Sequence, residues 1–178
     1  YSDVKNTMID KFLWWMTERH DIYLRRKAGK PWPWTEDEIM RTYKFTNVYR
    51  EFDAVTVALH ERVDKYRKKM TEADRLYLVN LFRAFNWPGT FDAIEYARAM
   101  TDFRKMHDVL KRMQQAREKI FTGAYIITNA GSSKPKIKLM TDALEEFFDW
   151  RRELWKQIES DGTMQGATTI IQRMPMHG

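Results

Sequence analysis

Asn47, Arg50, Glu51 and Asp53 place an amide, a guanidinium and two carboxylates within one short stretch, FTNVYREFDAVT. Those types suit chemistry on an anionic substrate. An amide reads a base edge or a ribose, an arginine forks two donors onto a phosphate, and a carboxylate takes the proton of an incoming nucleophile. At helical spacing Asn47, Arg50 and Glu51 share one face, with Asp53 at its edge. The same spacing also fits an Asn cap followed by surface ion pairs, and spacing alone does not choose between the two.

A basic run, Arg25, Arg26, Lys27 and Lys30, precedes this stretch. It reads either as cations favoured by the carbonyl end of a helix or as a cluster that contacts phosphates with salt-dependent affinity. Trp32 and Trp34 alternate with Pro31 and Pro33 in a stiff, extended turn. They suit a lid over the core or a platform for base stacking. Gly123 to Lys136 holds Gly, Ser and Asn with Lys134 and Lys136. It lacks the GxxxxGK[ST] form of a phosphate-binding loop, and reads as a connector or a functional loop with two cations for DNA. None of His20, His60, His107 and His177 falls in a recognised metal motif, and neither a metal nor a cofactor is expected.

These residues need a scaffold, and the periodicity predicts helices throughout. Helices are expected from Ser2 or Asp3 to about Ala28, from Thr35 with Glu38 as a capping box, and from Asn47 to about Lys65. Further helices are expected from Thr71 to Asn86, from Thr90, from Asp102 to about Lys119, from about Thr141 to Glu159, and from Thr163 to Arg173. Residues 121–136 form the main irregular segment. The fold class is therefore all-α, a multi-helix globular domain spanning 1–178, with Trp15, Phe52, Leu59, Leu78, Phe82 and Phe147 expected in its core.

Composition bounds the function. Hydrophobic residues make up 43% of the 178, enough for a core, and the net charge of +6 favours an anionic partner. The absence of cysteine excludes disulfides and thiol catalysis and points to a reducing compartment, the cytoplasm. No apolar run approaches a membrane span, so no membrane partner is expected. The chain opens on Tyr1 and stops at Gly178 just past the turn signal MPMHG, so a fragment is expected.

Together RRKAGKPWPWTEDEIM, YKFTNVYREFDAVT, LFRAFNWP, IFTGAYIITNAG and MPMHG resemble the α-glutamyl/putrescinyl-thymine pyrophosphorylase family. That family, of amino acid:DNA transferases, includes the helical domain of 5-hydroxymethyluracil DNA kinases. The resemblance covers most of the chain in order. It implies a fold related to the helix-hairpin-helix DNA glycosylases, with 163–178 the start of such an element, cut at its hairpin, and backbone N–H groups at Gly178 gripping a DNA phosphate. Met176 stands where that hairpin has its first glycine. The implied reaction is thymine hypermodification, met in bacteriophages among others. An amino acid or polyamine amine displaces pyrophosphate from a pyrophosphorylated 5-hydroxymethyluracil in DNA. The alternatives are a non-catalytic DNA-binding helical domain of a 5-hydroxymethyluracil DNA kinase, and a structural or assembly protein. On the first reading Arg25, Lys27 and Arg50 serve the leaving group, Asn47 binds the uracil edge, and Asp53 or Glu51 takes the proton. Arg26, Lys30, Trp34, Lys134 and Lys136 complete the DNA contacts. The implied partners are DNA with a modified pyrimidine, an amine donor and a base kinase, in the host cytoplasm if the source is a phage.

Overall fold

The computed structural model describes residues 2–123 and 131–175, with side chains from Thr7 onward. Gly178, with the rest of 176–178, lies outside the described residues, as does 124–130 of the irregular segment. The described residues are all-α: eight α-helices, one 3-10 turn and no strand. No helix among them is long and apolar enough to cross a membrane. The chain divides into two compact units, Tyr1–Val57 and Ala58–Gly178.

The first unit is built on α1, Ser2–Lys27. It ends where the sequence predicts, because Gly29 takes a left-handed φ of 70° and the last carbonyls find donors: Gly29 N–H bonds Arg26 O and Lys30 N–H bonds Arg25 O, each at 3.0 Å. The Pro/Trp turn follows. The Trp34 indole N–H then donates to Lys30 O at 2.7 Å. The short helix α2, Glu38–Thr42, is capped by Asp37, whose carboxylate accepts from Met40 N–H at 2.8 Å. This corrects the expected Thr35–Glu38 box. Thr35 is buried instead, its hydroxyl accepting from Asp37 N–H at 3.1 Å.

The helix expected from Asn47 does not begin there. Residues Arg50–Phe52 form a single 3-10 turn, and α3 runs over Ala54–Asp64. The Asn47 amide explains the delay. Its Nδ2 donates to Phe52 O at 2.9 Å and to Asp53 Oδ1 at 3.2 Å, a local alternative to helical bonding. Aromatic rings from this stretch close over α1. Tyr23 stacks on Phe52 at 4.9 Å, and His20 meets Tyr49 edge-on at 5.3 Å. Trp15 meets Phe45 edge-on at 6.0 Å. Trp15 and Phe52 are only half-buried, whereas Leu59, Leu78, Phe82 and Phe147 are in the core as expected.

The second unit holds a denser core. Its helices are α4 (Glu72–Phe85), α5 (Pro88–Tyr96), α6 (Phe103–Gln115), α7 (Lys136–Asp161) and α8 (Met164–Gln172). Helix α7 is the hub, packed by α4, α6 and α8, while α5 joins α4 to α6. Leu81, Phe82, Phe91, Ile94, Met106 and Leu110 lose all exposure. Thr71 caps α4 as read from the sequence, and Asp102 and Thr163 cap α6 and α8. Pro88 rather than Thr90 opens α5. Thr90 is fully buried and donates to Ile120 O at 2.6 Å. Helix α7 starts at Lys136, five residues ahead of the expected Thr141.

Candidate nucleic-acid interface

A concave site lies in the first unit, between the C-terminal half of α1 and the chain that leaves α2. Its cavity of about 320 Å³ is at the small end of the roughly 300–1,000 Å³ common for small-molecule sites. Arg19, Arg26, Arg41 and Lys44 bring four cations to its lining, and no carboxylate lines it. Tyr23, Trp32, Trp34, Tyr43 and Phe45 supply rings, and Asn47 an amide.

The local structure explains how these groups are brought together. Arg19 and Tyr23 come from successive turns of α1 and so share a face. The Arg19 guanidinium rests 4.3 Å from the Trp15 ring centroid and donates to Thr46 O, which ties residues 45–47 to the helix. Arg25 performs a similar task at the Pro/Trp turn. Its Nη1 bonds Glu18 Oε1 at 2.8 Å and Trp34 O at 2.6 Å, and its Nη2 lies 3.6 Å from Asp21. Arg25, helped by the Thr35 hydroxyl and against some burial, holds the Glu18 carboxyl below its ordinary pKa.

Of the residues singled out in the sequence, Arg26, Trp32, Trp34 and Asn47 line this cavity. Arg25 stands behind it, holding the Trp34 backbone. Lys27 lies 5.8 Å from the Tyr23 ring centroid, and Lys30 is exposed at the helix end. Arg50, Glu51 and Asp53 are not in the lining. Arg50 is 81% exposed and only 3.9 Å from Asp53, a loose surface pair. Asp53 reaches the cavity through Asn47. Because Asn47 Nδ2 is occupied by Phe52 O and Asp53, the amide offers a ligand its Oδ1, an acceptor.

Lys134 and Lys136 belong to the second unit. Lys134 pairs with Asp142 at 3.6 Å, and Lys136 Nζ sits 4.1 Å from the Phe121 ring centroid. Sequence reasoning missed Arg19, Tyr23, Arg41, Tyr43 and Lys44. The alternation of cations and aromatics in RTYKF was the available signal for the last three.

A family model described as 5-hmdU DNA kinase, helical domain, matches residues 6–178. A 5-hmdU DNA kinase of Bacillus phage SP10 is 34% identical over 135 residues, which cover 72% of this chain and 21% of that relative. The chain thus matches about a fifth of the length of that phage protein. No solved structure matches the chain. With a match that runs through the basic segment, the cavity and both compact units, the chain belongs to the family of the 5-hmdU DNA kinase helical domain.

Proposed function

We propose that this chain is a DNA-binding helical domain that holds DNA containing 5-hydroxymethyluracil for a base kinase. The observation that carries the reading is the charge of the cavity lining: four cations and no carboxylate. Arg26, Arg41 and Lys44 are exposed, and among the described residues their side chains enter no ion pair. A compact set of unpaired cations repels itself, and an anion of the DNA backbone relieves that repulsion while releasing counterions.

The chain supplies binding rather than phosphoryl transfer on this reading. Its sequence holds no GxxxxGK[ST] loop to cradle nucleotide phosphates, and its match to the phage kinase covers only 21% of that protein. Exchange of pyrophosphate for an amine would need a carboxylate base beside the reacting carbon. Asp53 and Glu51 are not among the residues that line the cavity, which favours binding over that exchange.

Anisotropy titration of the 178-residue chain with labelled DNA tests the proposal. The strand carries 5-hydroxymethyluracil or thymine at one position. Binding that weakens steadily with salt is expected. No binding to either DNA at low salt rejects the reading.

A further inference from the structure

Charge accounts for a phosphate in this cavity but not for its rings. The other aromatic residues of the first unit are largely used up in contacts with one another. Trp15 pairs with Phe45, and His20, Tyr23, Tyr49 and Phe52 form one cluster. Trp32 and Tyr43 differ. Both line the cavity, each is 65% exposed, and neither ring pairs with another aromatic or holds a cation among the described residues. Burying neither ring in the core leaves apolar area in water without compensation. Trp32 is flanked by Pro31 and Pro33, which restrict the backbone on both sides, so less backbone freedom is lost when a ligand holds its ring.

We infer that the cavity takes one unpaired nucleotide, its base laid on the open faces of Trp32 and Tyr43 and its phosphate on Arg26, Arg41 and Lys44. This names the ligand of the DNA-binding site proposed above and rests on that reading. A base inside a duplex has both faces covered by its neighbours and cannot stack on a side chain. A cavity of about 320 Å³ admits a nucleotide-sized ligand and not a double helix. Asn47 adds one polar contact of defined sense. With its Nδ2 occupied by Phe52 O and Asp53, its Oδ1 accepts a hydrogen bond from a donor on the base edge, such as the N3–H of a uracil ring. The site therefore selects single-stranded or locally opened DNA.

The test compares the full 178-residue chain on a short labelled DNA single strand, on its perfect duplex, on the matched RNA strand, and with free thymidine monophosphate read by tryptophan quenching. Trp32→Ala and Tyr43→Ala are measured beside Trp14→Ala, an exposed ring outside the cavity. The single strand is expected to bind at least about 10-fold tighter than the duplex. Trp32→Ala or Tyr43→Ala should weaken single-strand binding by roughly 5–150-fold, the loss of one stacked base, and Trp14→Ala should not. Equal affinity for strand and duplex, unmoved by Trp32→Ala and Tyr43→Ala, overturns the inference and leaves DNA binding standing. Thymidine monophosphate that quenches wild type but not Trp32→Ala, with no DNA binding, keeps the nucleotide ligand and rejects the DNA reading. No response to strand, duplex or mononucleotide rejects both. A matched RNA strand bound tighter than the DNA strand overturns DNA as the source of the nucleotide.

Discussion

Asn47 donates through Nδ2 to Asp53 Oδ1 at 3.2 Å, so the amide that lines the cavity is set by a carboxylate that does not. The two residues act as one unit on this geometry, with Asp53 in a positioning role. Asn47→Ala and Asp53→Ala should each lower DNA affinity, and the double variant should lose less than the sum. Residues sharing a hydrogen bond couple by about 0.5–3 kcal/mol. Strictly additive losses in the cycle would show that Asp53 does not act through Asn47.

Arg25 is expected to matter for stability. Its guanidinium bonds both Glu18 and the Trp34 carbonyl, so Arg25→Ala should free the Pro/Trp turn and lower the melting temperature. The pH dependence has a definite sign. Glu18 titrates lower in the folded chain than in the unfolded one, chiefly through Arg25. Its contribution is complete above the ordinary glutamate value of about 4.3 and is lost as pH falls through the depressed folded value. In thermal melts from neutral to acid pH the gap between wild type and Arg25→Ala should narrow, leaving at the acid end only what the bond to the Trp34 carbonyl contributes. A constant gap at all pH values would assign the destabilisation to something other than this ion pair.

In the second unit, Arg151 Nε bonds Asp74 Oδ1 at 2.6 Å, and Asp74 also accepts from the Thr71 hydroxyl at 2.8 Å. Burial raises the Asp74 pKa, but the Arg151 and Thr71 bonds outweigh it and hold the group below its ordinary value. Arg151→Ala removes a charge-assisted bond between α7 and the first turn of α4 and should cost about 1.5–3 kcal/mol. Urea unfolding at neutral pH measures it. A change under about 0.5 kcal/mol would class the contact with ordinary exposed ion pairs.

Thr90→Val offers a cleaner test of a buried polar contact, since Val keeps the shape and removes the hydroxyl. The Ile120 carbonyl then loses its donor in a fully buried place, at a cost of about 1–3 kcal/mol. Equal stability of the two proteins by urea unfolding would mean that Ile120 O has another donor.

The second unit was largely legible because its signals are local. Thr71 with Asp74, Asp102 and Thr163 announce their helices, and Leu78, Phe82 and Phe147 fall on apolar stripes that are buried. The start of α3 was not legible, because an Asn that reads as a cap instead bonds forward to Phe52 O and Asp53 and delays the helix. The cavity was half legible. Arg26, Trp32, Trp34 and Asn47 stand in dense clusters that draw attention on composition alone. Arg19 and Tyr23 look like ordinary α1 residues, and only the return of residues 41–47 across that helix turns them into a lining. For the same reason Arg25 and Arg26, adjacent in sequence, differ in role: one faces Glu18 and the other the cavity.

The slope of log K against log[salt] reports on the phosphate contacts of the cavity cations. Each phosphate contact removed should flatten it by about 0.7 on single-stranded DNA and about 0.9 on duplex. Arg26→Ala/Arg41→Ala, which strips two of the three cations from the one phosphate, is predicted to flatten the slope by about one such step relative to wild type, while Arg25→Ala, measured where it remains folded, keeps the wild-type slope. Slopes identical for wild type and Arg26→Ala/Arg41→Ala would contradict the account and return these cations to the solvated surface.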